Sequence, residues 1–191
     1  IEVRSSCVIN ATGVWTDDVE QLANDNTAET SQKKVRSSKG VHLVVPRDRI
    51  KSSTGLVSRT EKSVLFIIPW NDHWIIGTTD TDWDLDRAHP AATSNDISYL
   101  LKRVNELLEN KLDTSDIQGV YVGLRPLLTG ESDDTAKLSR EHHVFHPKPG
   151  VVSIAGGKYT TYRIMASDAV NAAVAEVPRW VSSSRTKEIK L

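Results

Sequence analysis

Three cationic side chains in the second half of the sequence stand at the end of a predicted strand or beside a predicted turn. They are Arg125, Arg140 and Lys158. A guanidinium binds phosphate or carboxylate through two parallel hydrogen bonds, whereas a lysine supplies a point charge. If the three heads converge, they form a pocket for a small anion. The alternative is three unrelated surface salt bridges, which contribute little to stability.

The stretch that contains Lys158 predicts a strand, a glycine turn and a helix. Residues 151–155 are mostly β-branched and apolar, which is typical of a buried strand. Gly156 and Gly157 allow the backbone to turn sharply and to approach a ligand closely. Free amides at the start of the following helix would favour an anion, as would Lys158. An ordinary strand-to-helix crossover is the alternative interpretation.

A second segment of the same kind lies near the start of the sequence. Residues 7–10 form a short apolar run, and the small residues 11–13 allow a close backbone approach. Thr16 can cap the helix that follows, with acidic residues in its first turn. Because both segments have the strand–turn–helix pattern, we predict that they pair in one parallel sheet, apart from the middle of the chain.

The middle of the sequence predicts antiparallel strands and one amphipathic helix. The helix is capped by Thr93, and its apolar positions recur at helical spacing as far as Leu112. Residues 24–38 are polar and predict a loop or a helix end. The basic cluster of Lys33, Lys34, Arg36 and Lys39 is interpreted as a solvated face. The predicted strands cover residues 41–45, 64–68, 74–77, 119–124 and 144–146, with hairpins joining 64–68 to 74–77 and 144–146 to 151–155.

Histidines at 142, 143 and 146 are the one feature that suggests a metal site. An intervening Val-Phe pair and a following proline favour a strand or loop over the helical i, i+4 pair of a zinc site, so no metal is predicted. The sequence also lacks a P-loop, a nucleophile elbow and any Gly-x-Gly-x-x-Gly.

The composition of the chain excludes several classes of protein. The 191 residues carry a net charge of -1, with 38% hydrophobic and 26% charged residues, so nothing suggests nucleic acid as a partner. A single cysteine, Cys7, excludes an internal disulfide framework and fits a cytoplasmic setting. No apolar stretch is long enough to span a bilayer, and no signal peptide is recognised. The chain begins at Ile1 inside a strand-like segment, so we expect it to be a piece of a longer protein.

Six motifs, in order, resemble the family of FAD-dependent, aerobic-type glycerol-3-phosphate dehydrogenases. Their similarity covers most of the chain, and their combination is specific where any one motif would not be. The motifs are Val-Ile-Asn-Ala-Thr-Gly-Val-Trp at 8–15, Ser-Lys-Gly-Val-His-Leu at 38–43, Ile-Gly-Thr-Thr-Asp at 76–80, Gly-Leu-Arg-Pro-Leu at 123–127, Ser-Arg-Glu-His at 139–142 and Gly-Gly-Lys-Tyr-Thr-Thr-Tyr-Arg at 156–163.

The resemblance implies a fold of the α/β and α+β classes. It implies part of a glutathione-reductase-like, DAO-type FAD-binding domain, into which a substrate domain with a mixed antiparallel sheet is inserted. Residues 1–23 and 150–177 would belong to the FAD-binding domain, and residues 24–149 to the substrate-binding domain. Residues 178–191 would form a linker toward a further domain.

The resemblance also implies an activity and a set of site residues. The family oxidises sn-glycerol 3-phosphate to dihydroxyacetone phosphate, with a hydride passing to FAD and electrons passing to quinone. Arg125, Arg140 and Lys158 would bind the substrate, and Arg125 and His42 would be the catalytic residues. The residues implied to contact FAD are Ala11, Thr12, Gly13, Gly156, Gly157, Lys158, Tyr159, Thr160 and Thr161.

The absent Gly-x-Gly-x-x-Gly separates this chain from the complete family pattern, because that motif cradles the FAD pyrophosphate. We therefore expect the chain by itself to bind FAD weakly and to be inactive. Two alternatives stay open: another FAD-dependent amine or hydroxy-acid oxidoreductase, and a non-catalytic anion-binding domain. The expected location is the cytoplasm, with peripheral association of the parent protein at the cytoplasmic membrane as a further option.

Overall fold

The computed structural model describes residues 1–23, 34–60, 64–129, 141–177 and 180–190. Its strands are β1 (Val8–Asn10), β2 (Val35–Pro46), β3 (Leu56–Arg59), β4 (Val64–Trp70), β5 (His73–Gly77), β6 (Thr81–Asp82), β7 (Gly119–Leu128), β8 (His142–Lys148) and β9 (Val151–Gly156). Its α-helices are α1 (Thr16–Ala23), α2 (Ser94–Asn105) and α3 (Tyr162–Ala175).

The described residues divide into two compact units. The terminal unit comprises residues 1–23, 34–36, 126–129, 141–177 and 180–190, and the middle unit comprises residues 37–60 and 64–125. The strand β8 therefore groups with the terminal segments, whereas the sequence-based domain boundary lies at residues 149/150. The assignment of those domains to FAD and to substrate stays a prediction.

The terminal unit is built on a three-stranded sheet in the order β1-β9-β8. β1 runs parallel to β9 with Ile9 opposite Val152, and β8 pairs antiparallel with β9. The predicted parallel pairing of the two strand–turn–helix segments is thus confirmed, as is the predicted hairpin of β8 and β9.

Burial in this sheet is greatest on its central strand. Every residue of β9 is buried, and α3 packs against it through the buried alanines Ala169 and Ala173. Small side chains let the helix lie close to the sheet. β1 is an edge strand among the described residues, and its Val8 and Ile9 are 50% and 40% exposed.

The middle unit is built on an antiparallel sheet in the order β3-β4-β5-β2-β6, with β7 also paired to β2. The predicted hairpin of β4 and β5 is confirmed, with Ile67 opposite Ile76. On β2, Val41, Leu43 and Val45 are completely buried and alternate with residues that face the other side of the sheet. These three side chains join the core formed with α2, so the opposite face remains available for a ligand.

The helix α2 begins as predicted and ends earlier. Thr93 and Asp96 form a reciprocal capping box, in which the Asp96 amide donates to Thr93 Oγ1 at 3.3 Å and the Thr93 amide donates to Asp96 Oδ2 at 2.8 Å. The helix ends at Asn105, although the apolar spacing continues to Leu112. The Asn105 side chain bonds both the amide and the carbonyl of Leu112 at 2.8 Å, which closes a turn and returns Leu112 to the core.

The basic cluster of residues 33–39 was predicted to be a solvated face, and the structure agrees only in part. β2 begins at Val35 instead of at residue 41, and Lys33 lies outside the described residues. Lys34 pairs with Glu20 at 2.8 Å and is partly exposed. The prediction of a solvated face is wrong for Lys39, because its side chain is 5% exposed and lies 2.6 Å from the equally buried Asp96.

Candidate substrate face and flavin edge

The face of the middle sheet opposite α2 carries the first candidate site. His42 alternates with the core residues Val41 and Leu43 on β2, so its side chain points to that open face. β7 lies beside β2, since the Gln118 amide donates to the Val44 carbonyl at 2.9 Å. Along β7, Arg125 alternates with Leu124, and its head reaches the same open face. The antiparallel pairing of β2 with β7 therefore brings together two residues that are far apart in sequence.

Arg125 is held by two groups that follow β5. Its Nη2 donates to Thr78 Oγ1 at 2.9 Å, and its Nη1 donates to the Thr79 carbonyl at 3.2 Å. A guanidinium carries five N–H donors in a fixed fork, a geometry that matches phosphate and carboxylate. The head is consequently aimed by strand ends and not by a free loop, which is the arrangement that a specific anion contact requires.

His42 is held as a neutral base. Its ring stacks on Tyr121 of β7, with centroids 4.8 Å apart and planes 9° apart. Burial lowers the pKa of His42, and the positive charge of Arg125 lowers it further. Its Nδ1 is buried and has no hydrogen-bond partner among the residues that the structure describes. The ring is therefore neutral at neutral pH, the form that can accept a proton from a reacting hydroxyl.

Tyr121 was not among the residues selected from the sequence. Burial raises its pKa, so its hydroxyl stays protonated at neutral pH. The signal that could have found it is period-2 alternation: a predicted strand over residues 119–124, continued by one residue, puts positions 121 and 125 on the same face. What the sequence lacked was the register between β2 and β7 that puts the ring against His42.

The carboxyl edge of the terminal sheet carries the second candidate site. Because β1 and β9 are parallel, the turns that follow them, residues 11–13 and 157–161, leave the sheet at the same edge. Ligands of open α/β sheets bind outside this edge. Gly13 has a φ of 63° and Gly157 a φ of 79°, a left-handed conformation that favours glycine. Both turns thus have the tight backbone that the sequence predicted.

Asn10 fixes the first turn and was missed as a positioning residue. Its side chain is buried, and its Nδ2 donates to the Thr16 carbonyl at 3.0 Å and to Ser153 Oγ at 3.3 Å. Its Oδ1 accepts from Thr12 Oγ1 at 2.6 Å. One amide therefore ties β1, β9 and the start of α1 together.

The second turn leads into α3 through a short 3-10 helix at Tyr159–Thr161. Thr161 Oγ1 donates to the Lys158 carbonyl at 2.9 Å and accepts from the Lys158 amide at 3.3 Å. The first amides of a helix have no intrahelical acceptor and lie at its positive end. Lys158, Tyr159 and Thr160 are exposed beside them. This edge can accept a polar or partly negative group.

The predicted convergence of three cations stays a prediction. Arg125 belongs to the middle unit and Lys158 to the terminal unit, while Arg140 lies outside the described residues. The histidine tract has structural partners instead: His142 Nε2 lies 2.8 Å from Asp168, and His146 Nδ1 lies 2.6 Å from Glu176. No group of three or more potential metal ligands occurs within the described ranges.

Comparisons with known proteins agree with this architecture. The model of the family "FAD dependent oxidoreductase" (DAO) matches residues 1–188. Glycerol-3-phosphate dehydrogenase 2 of Mycobacterium tuberculosis (strain H37Rv) is 60% identical over 190 residues, which cover 100% of this chain and 32% of that protein. The mitochondrial glycerol-3-phosphate dehydrogenase of Homo sapiens is 40% identical over 178 residues, covering 91% of this chain and 24% of that protein.

Among solved structures, the glycerol-3-phosphate dehydrogenase of Bacillus halodurans, complexed with FAD, superposes with a TM-score of 0.72 at 32% identity. The match covers 91% of this chain and 32% of that one. The chain thus spans at most about a third of the length of these relatives. Among the described helices, none has the length and apolar character needed to cross a membrane.

Proposed function

Because the chain belongs to the family of FAD dependent oxidoreductases, we propose that it supplies the substrate face and part of the flavin site of a glycerol-3-phosphate dehydrogenase. The reaction is the oxidation of sn-glycerol 3-phosphate to dihydroxyacetone phosphate, with electrons passing through FAD to quinone. A relative that carries this name, from Mycobacterium tuberculosis, is 60% identical to the chain. The chain accounts for about a third of such a protein, and we propose that it is inactive by itself.

The observation that carries the proposal is the placement of Arg125 and His42 on one open sheet face. Arg125 is a cation fixed by its bonds to Thr78 and Thr79, and its charge acts on the neutral imidazole of His42. A phosphorylated alcohol needs both groups: a cation for the phosphate, and a proton acceptor for the hydroxyl that becomes a carbonyl. A binding domain for anions alone would need only the first of them.

The roles follow from the chemistry of these side chains. Arg125 binds the phosphate through charge-assisted hydrogen bonds. The neutral imidazole of His42 takes the hydroxyl proton as the carbonyl forms, and both its burial and the nearby Arg125 charge oppose protonation of the ring before substrate binds. Lys158 and Arg140 remain proposed additional contacts to the substrate.

The carboxyl edge of the terminal sheet fits part of an FAD site. Gly157 lies where an added Cβ would clash with Met165 and lie 3.1 Å from the Cβ of His142, so the turn approaches its surroundings as only glycine can. The flanking residues proposed to hold FAD are Ala11, Thr12, Gly13, Gly156, Gly157, Lys158, Tyr159, Thr160 and Thr161. The chemistry that bound FAD supplies is acceptance of the hydride. The pyrophosphate cradle is not in this sequence, because no Gly-x-Gly-x-x-Gly occurs in it.

We propose the electron acceptor and the cellular location of the protein together with its activity. A quinone acceptor fits a cytoplasmic protein that associates peripherally with the cytoplasmic membrane. Assays with a soluble quinone and with oxygen as alternative acceptors test the first point, and fractionation of cells into membrane and soluble protein tests the second.

The decisive experiment is steady-state kinetics of the FAD-loaded protein that carries this chain. Arg125→Ala should lower kcat/KM for glycerol 3-phosphate by about ten- to a hundredfold, mostly through KM, because one charge-assisted contact is worth on the order of 1.5–3 kcal/mol. Arg125→Lys should recover only part of the loss, because the forked geometry is missing.

Arg59→Ala is the matched control, since Arg59 is an exposed cation of the same unit on a different strand. It should leave kcat/KM unchanged. An unchanged kcat/KM in Arg125→Ala would refute the phosphate contact. Oxidation of a carboxylate substrate in preference to glycerol 3-phosphate would instead identify an amine or hydroxy-acid oxidoreductase.

A further inference from the structure

Two glycines lie on the sheet directly beneath the two proposed functional side chains. Gly40 precedes His42 by two residues on β2, so both positions face the open side of the sheet. Gly77 on β5 is the cross-strand partner of His42. Glycine weakens a strand because it has no side chain to pack and a large unfolded-state entropy, and within strands it often marks a close approach.

The head of Arg125 occupies the space that a side chain at position 40 would need. An ideally placed Cβ on Gly40 would lie 2.8 Å from Cζ and 2.9 Å from Nη1 of Arg125, and closer still to Nη2. Carbon and nitrogen atoms that are not bonded do not approach so closely, so a side chain at position 40 forces the guanidinium away.

The ring of His42 occupies the corresponding space at position 77. A Cβ on Gly77 would lie 2.7 Å from Cγ and 2.8 Å from Nε2 of His42, and closer still to Cδ2. The imidazole is therefore enclosed between the bare backbone of Gly77 and the ring of Tyr121, on which it stacks.

A left-handed φ does not account for either glycine. The left-handed glycines of the described residues are Gly13, Gly150, Gly156 and Gly157, and neither Gly40 nor Gly77 is among them. As far as φ is concerned, both positions accept a residue with a side chain. What excludes that side chain is the functional group lying above it.

We infer that Gly40 and Gly77 are positioning residues, which by lacking a Cβ let the Arg125 guanidinium and the His42 imidazole lie against one sheet face. The inference rests on the proposed function for the roles of Arg125 and His42. Their positions on the sheet face come from the structure and do not depend on that function. Gly40 acts through Arg125, whose bonds to Thr78 and Thr79 require the head to lie where it does. Gly77 acts through His42, because the bare backbone at position 77 leaves room for the imidazole to stack on Tyr121.

The two substitutions should differ in their cost to stability. At position 40 the displaced atoms are the far end of a long, flexible side chain, so Gly40→Ala should leave the free energy of unfolding nearly unchanged while moving the guanidinium. At position 77 the displaced atoms include the base of a ring, so Gly77→Ala should break the stack on Tyr121 and destabilise the fold. Gly40→Ala is consequently the sharper test.

The first measurement is an NMR titration of His42 in the chain itself, with its resonance assigned from a His42→Gln variant. In Gly40→Ala the burial of the ring, the larger cause of its lowered pKa, remains, but the Arg125 charge moves away, so the pKa of His42 should rise part of the way toward its ordinary value. Gly123→Ala is the matched control, because Gly123 lies on the same face next to Arg125 but an added Cβ meets nothing within 4 Å. It should leave the pKa of His42 unchanged. This readout needs neither cofactor nor substrate, so it stands even if the proposed activity fails.

The second measurement is a double-mutant cycle in the FAD-loaded protein. Gly40→Ala should lower kcat/KM for glycerol 3-phosphate by about tenfold, as the loss of a charge-assisted contact does. On an Arg125→Ala background the same change should have no further effect, because the group it displaces is already gone. An unshifted His42 titration in a folded Gly40→Ala chain would overturn the inference, and so would additive losses in the cycle.

Discussion

Replacing Lys39 by methionine should destabilise the middle unit by about 3–5 kcal/mol, the usual cost of leaving one partner of a buried ion pair behind. Lys39 Nζ lies 2.6 Å from Asp96 Oδ2, and both side chains are 5% exposed. The same ammonium donates to the Ala91 carbonyl at 3.3 Å and lies 4.9 Å from the ring centroid of Trp83. Methionine keeps much of the apolar stem and removes the charge, so the loss of stability measures the contribution of the ammonium group.

The pH dependence of this loss has a definite sign. Burial raises the pKa of Asp96, but the bonds from Lys39 and Thr93 outweigh it, and the net pKa is lowered. A lowered folded-state pKa contributes stability above the unfolded value of about 3.9, and that stability is lost as pH falls through the folded value. Without Lys39 the carboxyl protonates more readily. The difference in the free energy of unfolding between wild type and Lys39→Met should therefore have its largest value at pH 7 and become smaller below about pH 4.

The assay is urea unfolding followed by tryptophan fluorescence, at pH 7 and at pH 3. Lys102→Met is the matched control, since Lys102 is an exposed lysine on α2, and it should change the free energy of unfolding by less than about 0.5 kcal/mol. A cost of under about 1 kcal/mol for Lys39→Met would refute the reasoning, because it would mean that the pair is not effectively buried. An equal cost at both pH values would refute it as well.

Further outcomes test other parts of the structure. Asn10→Ala should cost about 1–3 kcal/mol in urea unfolding, because it removes buried hydrogen bonds to the Thr16 carbonyl of α1 and to Ser153 Oγ of β9. Leu43→Ala should cost about 2–5 kcal/mol by the same assay, since its side chain is fully buried in the core. An NMR titration should find the pKa of His42 below its ordinary value, with stability falling as acid protonates the ring. The purified chain should show no stoichiometric flavin absorbance, because it has no Gly-x-Gly-x-x-Gly.

Local patterns predicted much of the fold. The shared strand–turn–helix pattern of two distant segments was sufficient to predict the parallel pairing of β1 with β9. Short polar turns between apolar runs predicted the hairpins. Thr93 and Asp96 marked the start of α2 because a capping box depends only on neighbouring residues. These features succeeded because their causes lie within a few residues of one another.

The features that were missed depend on partners far away in the chain. Lys39 looked like part of a solvated cluster, because nothing near it in sequence reveals Asp96 as its buried partner. Arg125 was selected from its place at a strand end and His42 by resemblance, but Tyr121, Gly40 and Gly77 matter only through the register of β2 with β5 and β7. Such registers arise from packing of the whole sheet, which a single sequence does not display.

The exposed edge of β1 has a consequence for handling the chain in solution. Within the described residues β1 is an edge strand. Such a strand presents unpaired backbone donors and acceptors, and β1 adds the exposed apolar side chains of Val8 and Ile9 to them. Another molecule can add its own strand there without any unfolding of the first. Concentrated samples should therefore self-associate through native sheets. Ile9→Lys should raise the concentration at which precipitation begins while leaving the melting temperature nearly unchanged.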